Sequence, residues 1–235
     1  MIKPKTKTLQ ILLLGISLSA CNPTQIDLKE QPVKTTSAKK DQKMDNLPDY
    51  SVVYDLNNRP KVLTHKAQTV KFPLSQEDKD AIKILEEKFD HEENCAGLAA
   101  PQIGIGKRII VFEVKDDPDL KKWRPDLEQT MPKAVWINPS YKAVGTATHE
   151  DYEACFSVNE MAGNVKRFKK ISYEAWLPDG TKVTGTASGF LARLIQHEID
   201  HTNGRLYVDL VPEGQLHTLE EYRKMRAEKM GKEIE

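Results

Sequence analysis

The run IQHEIDHTNG, Ile195 to Gly204, constrains this chain more than any other stretch. It places His197 and His201 four residues apart, with Glu198 beside the first. On a helix, positions i and i+4 leave from one face about one turn apart, so the two imidazoles can share a cation. Glu198 is placed to handle a proton on water. The approach to the motif, FLARLIQ (Phe190 to Gln196), is apolar, which argues against a surface helix that carries two histidines by accident. A centre with an open position needs three protein ligands. A carboxylate downstream or a cysteine elsewhere can supply the third.

One class of zinc endopeptidase takes its third ligand from HExxHxxGxxH. Gly204 fits that pattern, but its last position is Tyr207. The chain has three cysteines, Cys21, Cys95 and Cys155. That is too few for a disulfide framework, so each is read singly. Lys plus Arg and Asp plus Glu both number 35. Zero net charge argues against a partner held by bulk charge, and no nucleic acid is expected.

The N-terminus reads as a targeting segment. Lys3, Lys5 and Lys7 precede the apolar run ILLLGISL (Ile11 to Leu18), which is too short to span a bilayer as a mature helix. LSAC follows, ending at Cys21, and resembles a bacterial lipoprotein signal in which that cysteine is lipidated. Residues 1–20 are therefore expected to be a signal peptide and residues 21–47 a polar, Lys-rich tether. A tether of that length spans roughly 30 Å. Residues 48–235 form the expected catalytic domain, exported, lipid-anchored in the cell envelope and monomeric.

Within that domain, SQEDKDAIKILEEKF (Ser75 to Phe89) opens on a Ser75/Asp78 capping box, and Ala81, Ile82, Leu85 and Phe89 form one stripe. RIIVFEV (Arg108 to Val114) and AVWINPS (Ala134 to Ser140) read as strands, the second ending at Asn138-Pro139. ISYEAWL and TKVTGT flank Pro178-Asp179-Gly180 as a hairpin. Ser188 is the expected cap of the motif helix, which stops at Asn203-Gly204. Thr218 and Glu221 open a weakly amphipathic last helix. The order predicts α+β, with mostly antiparallel sheets around a central metal-binding helix.

Two further stretches matter. GLAAPQIGIGKRIIVF begins at Gly97, and EACFSV runs from Glu153 to Val158. With QHEIDH, in this order and spacing, they resemble the three signature motifs of peptide deformylases, over about Val52 to Leu210. The resemblance implies Cys155 as third ligand beside His197 and His201. It implies one divalent ion, Fe²⁺ first, with Zn²⁺, Ni²⁺ or Co²⁺ as alternatives. The implied reaction removes formate from N-formylmethionyl peptides. Glu198 would carry the proton, while the Gln102 amide and the Phe156 backbone N–H stabilise the oxyanion. Gly97, with Ala99 and Ala100, would let the peptide backbone pass close. Leu98, Phe190 and Leu194 would line the pocket, and Glu153 and Arg167 would brace the Cys155 loop. Asp200 is expected to be structural, and His91, His149 and His217 to lie at the surface.

The second motif departs from the family's EGCLS at Ala154 and Phe156. An alanine where a glycine has φ > 0 would strain the loop. Cys95 and Ala96 also replace the usual glycine and larger aliphatic. A zinc endopeptidase, or a deformylase fold retained for binding or for an altered substrate, stays open on sequence grounds. So does a Cys95–Cys155 disulfide in an oxidising compartment, which would remove a ligand.

Overall fold

The computed structural model describes residues 47–229 and 231. The signal peptide, Cys21 and nearly all of the tether lie outside the described residues. Helices α1 (Lys61–Thr64) and α2 (Gln76–His91) precede β1 (Gly97–Ala99) and a 3-10 turn at Ala100–Ile103. Then come β2 (Ile109–Val114), α3 (Pro118–Trp123), β3 (Met131–Ala143), β4 (Thr148–Ala154), β5 (Met161–Phe168), β6 (Lys170–Trp176) and β7 (Lys182–Ser188). Helix α4 (Gly189–Thr202), β8 (Leu216–Thr218) and α5 (Leu219–Lys229) complete the fold. No helix among the described residues is long and apolar enough to cross a membrane.

The strands form a five-stranded sheet, β1-β2-β3-β6-β7, and a three-stranded sheet, β4-β5-β8, and every pairing of named strands is antiparallel. Helix α4 lies between them. Its Leu191, Ala192, Leu194, Ile195 and Ile199 pack with Ile110, Phe112, Trp136 and Ile171 of the larger sheet in one core. On β2 alternate residues face opposite ways. Ile110, Phe112 and Val114 meet α4, while Ile109 and Val111 meet Ala81, Ile82, Leu85 and Phe89 of α2. The fold is the α+β arrangement that the order of elements implies.

Both ends of α4 are tied to the sheets. Gly189 begins it at φ +55, where a Cβ would stand 2.1 Å from the Asp126 carbonyl oxygen, so only glycine fits. Ser188 is the N-cap residue, but its side chain makes no capping bond. The first turn is satisfied by backbone instead: Gly189 N–H donates to the Lys169 carbonyl and Phe190 N–H to that of Asp126. At the other end the buried Arg108 donates to the Thr202 carbonyl at 3.0 Å and to Asn203 Oδ1 at 2.7 Å. A cation there satisfies carbonyls that the helix leaves open.

The strands depart from the sequence reading in two places. Asn138-Pro139 does not end β3, which runs on to Ala143 through an irregularity between Ile137 and Ser140. Asn138 takes φ 51, and its side-chain amide bonds both the N–H and the carbonyl of Val70, at 2.9 and 2.8 Å. Strands β4 and β5 have no forecast in the sequence. THEDYEA in β4 lacks the apolar alternation that marks a half-buried strand.

Candidate metal centre

Helix α4 turns one polar edge toward the smaller sheet. From that edge His197 and His201 project with ring centroids 4.9 Å apart, nearly perpendicular. Their Nε2 atoms lie 3.2 Å apart. Cys155, in the loop just past β4, brings its Sγ to 3.4 Å from His201 Nε2. The three ligand atoms all lie within 4.8 Å of one another.

This donor set fits a divalent ion. Glu153 Oε2 sits 2.9 Å from His197 Nδ1. That bond orients the ring, with Nδ1 on Glu153 and Nε2 toward the thiol and the other ring. Burial holds His201 well below the usual imidazole range, so this ring is neutral, as a ligand must be. Two imidazole nitrogens and a sulfur converging on one point fit a cation between them.

A buried network stands behind the ligands. Glu153 receives Nε and Nη2 of Arg167 at 3.0 and 2.9 Å, and Nη1 of Arg193 at 2.7 Å. Burial alone would raise its carboxyl, but the Arg167 charge and the bonds from His197 and Arg167 hold it well below the carboxylate range. Arg167 also pairs with Asp200, the structural role expected for that residue. Arg193 ties α4 to the small sheet through the carbonyls of Val165 and His149, at 3.0 and 2.7 Å. Sequence reading missed Arg193 because it sits in an otherwise apolar run. A lone cation between Ala192 and Leu194 was the available signal.

Glu198 faces the same cleft. Burial pushes its carboxyl up to about 7, and its Oε2 is buried without a hydrogen-bond partner among the described residues. A Cβ on Gly97 would come within 2.6 Å of Glu198 Oε1, so the glycine makes room for this carboxylate as well as for a ligand. Gln102 is oriented: its Oε1 accepts from the Ala99 N–H at 2.8 Å, which turns its Nε2 toward Cys155 Sγ at 3.3 Å.

The cleft holds a cavity of about 630 Å³. Gly97, Gln102, Cys155, Phe156, Phe190 and Leu194 line it along with His197 and Glu198. Leu98 does not. β1 alternates, so Leu98 turns away from Gly97 and is fully buried in the cluster around α2. Ala154 lines the cavity and is exposed in it, but it is not among the residues with positive φ, so it brings a methyl group and no strain. Phe156 stacks on Tyr50 at 5.0 Å, a contact that sequence reading did not foresee. His91 and His149 are exposed, whereas His217 is half-buried with its ring 5.9 Å from that of Tyr152.

Two competing readings lose ground here. Tyr207, at the endopeptidase's third-ligand position, stacks on the His197 ring at 6.2 Å, and its hydroxyl donates to the Met161 carbonyl. Cys95 and Cys155 are both free thiols. Cys95 donates to the Gly97 carbonyl at 3.2 Å, and burial pushes its thiol up, which makes it a poor nucleophile.

A buried carboxylate with a raised pKa, facing three convergent soft and borderline donors, defines a metallohydrolase. A family model described as polypeptide deformylase matches residues 52–216. Peptide deformylase 2 of Rickettsia conorii is 55% identical over 191 residues, covering 80% of this chain and 95% of that protein. Among solved structures, the Met-Ala-Ser-bound class I type b peptide deformylase of Acinetobacter baumannii matches with TM-score 0.60 and 26% identity, covering 70% of this chain and 98% of that one. The peptide deformylase of Ehrlichia chaffeensis matches with TM-score 0.60 and 25% identity, over 79% and 96%. The chain belongs to the peptide deformylase family.

Proposed function

We propose that this chain releases formate from N-formylmethionyl peptides outside the cytoplasm, as a monomer anchored by lipid at Cys21. The observation that carries the chemistry is the convergence of Cys155 Sγ and two imidazole Nε2 atoms beside the unpartnered oxygen of Glu198. A divalent ion held by Cys155, His197 and His201, Fe²⁺ first and Zn²⁺, Ni²⁺ or Co²⁺ as alternatives, would supply Lewis acidity and bring the pKa of water toward neutrality.

The remaining work belongs to the side chains. Glu198 accepts the proton of the attacking water and returns it to the nitrogen as the formamide C–N bond breaks, giving formate and a free amine. A carboxyl near 7 suits both steps. The Gln102 amide and the Phe156 N–H stabilise the charge developing on the formyl oxygen. Phe190 and Leu194 receive the methionine side chain. Glu153 and Arg167 hold His197 in place.

The Ala154 methyl in the cavity supports a second reading, an altered substrate or a binding role. Formate release decides between them. The full-length chain, loaded with Fe²⁺ under anaerobic conditions or with Ni²⁺, is assayed on a formyl-Met peptide beside Glu198→Gln. Release from the wild type only is expected. No release from folded, loaded protein would overturn the hydrolase reading. The anchor is tested separately: membrane fractionation with a lipid mass on Cys21 is expected, and a cytosolic chain without lipid would refute export.

A further inference from the structure

The signature motifs do not complete the cleft. Leu219, Tyr222 and Arg223 of α5 line the same cavity as Cys155 and Glu198. This helix is pinned in place. Thr218 and Glu221 cap each other, Glu221 N–H donating to the Thr218 hydroxyl and Thr218 N–H to the Glu221 carboxylate. Leu219 N–H donates to the Glu160 carbonyl at 2.9 Å. The Tyr222 ring lies 5.2 Å from that of Tyr152, and Arg226 pairs with Asp151 at 2.9 Å. Both partners belong to β4, the strand that leads to Cys155.

Arg223 differs from the other cations near it. Arg226 is paired with Asp151, Lys224 with Glu220 at 2.7 Å, and Arg193 with Glu153. Arg223 is exposed on the cavity and makes no ion pair or hydrogen bond among the described residues. Four carboxylates, Glu93, Glu153, Glu160 and Glu198, line the same cavity. Without the guanidinium, this surface would repel an anion.

A formylated peptide has lost the charge of its amino end. The one charge that every free peptide keeps is its terminal carboxylate. The formyl group must reach Glu198, so the rest of the chain runs outward. A cavity of about 630 Å³ lies within the ~300–1,000 Å³ that encloses ligands larger than one residue. We infer that Arg223 binds a carboxylate of a short formylated peptide, so that the enzyme selects released peptides over a growing chain, which has no free carboxylate at its end. This rests on the deformylase reading and deepens it.

The test compares formyl-Met-Ala-Ser as free acid, the same peptide as C-terminal amide, and formyl-Met-Ala-Asp amide. The proteins are the metal-loaded full-length wild type, Arg223→Gln and Arg223→Lys. The expected wild-type result is a KM for the acid about three- to tenfold below that for the amide, with kcat unchanged. Arg223→Gln removes or reverses the preference for acid over amide, while Arg223→Lys keeps part of it. A low KM for the acid alone would identify the chain end as the source, whereas an equally low KM for the aspartyl amide would overturn the selection of released peptides. Equal KM values for all three peptides in the wild type, or a preference that survives Arg223→Gln, would overturn the proposal. If the wild type releases no formate, the deformylase reading fails on its own. Peptide Kd values on Glu198→Gln, with and without Arg223→Gln, then decide the role of Arg223 by the same criterion.

Discussion

The two sheets that clasp α4 are built on different physics. The five-stranded sheet is apolar on the face it gives the helix: Ile110, Phe112, Ile171 and Ala175 are almost fully buried. The three-stranded sheet offers charge. Glu153 and Arg167, both nearly inaccessible, meet Arg193 and Asp200 of the helix in paired contacts. Burying charge is unfavourable even when it is paired, so such a network is a weak source of stability. Its yield is orientation. Glu153 fixes the His197 ring, and its strand ends next to Cys155. One sheet holds the helix, and the other aims it.

Breaking the small sheet should have the largest effect. Glu153→Gln leaves Arg193 buried without its anion, Arg167 with Asp200 alone and His197 without its charged partner. A loss of about 3–5 kcal/mol in chemical denaturation is expected, with metal affinity down about 10–100-fold by equilibrium dialysis. Ile110→Ala attacks the other sheet. It should cost about 2–5 kcal/mol while leaving metal affinity unchanged, because the core cluster it opens contains none of the three ligands. Equal effects of both substitutions on metal binding would erase the distinction between the sheets.

Gly97→Ala probes the site alone. The added methyl must displace the Glu198 side chain. Formate release should fall about 10²-fold, with the denaturation midpoint nearly unchanged. The smallest effect is expected at the N-terminus of α2, where no residue lines the cleft. Ser75→Ala removes one half of its capping box, at about 1 kcal/mol. Burial would raise the Asp78 carboxyl, but hydrogen bonds from Lys107 and Ser75 hold it below its ordinary value. Its stabilising contribution is therefore complete above the ordinary carboxylate pKa and is lost as pH falls through the lower, folded value. Asp78→Asn should flatten that acid dependence in a denaturation series, and an unchanged slope would refute the assignment.

The sequence by itself determined the helix that carries the two histidines, the capped α2 and the β6–β7 hairpin, while Cys155 as third ligand came from the family resemblance. Those three elements are written locally: in i,i+4 spacing, in Ser75 with Asp78, and in Pro178-Asp179-Gly180. Only the tertiary structure decided the rest. The charged strand β4 exists because β5 and α4 give its carboxylate partners. Arg193, missed within an apolar run, becomes a tie between helix and sheet. Leu98 leaves the pocket because β1 alternates, and the last helix joins the cleft because Asp151 and Tyr152 hold it there. Local patterns survive in sequence because their partners are near along the chain. A buried ion pair between residues fourteen or forty positions apart, as Glu153 makes with Arg167 and Arg193, leaves no periodic trace.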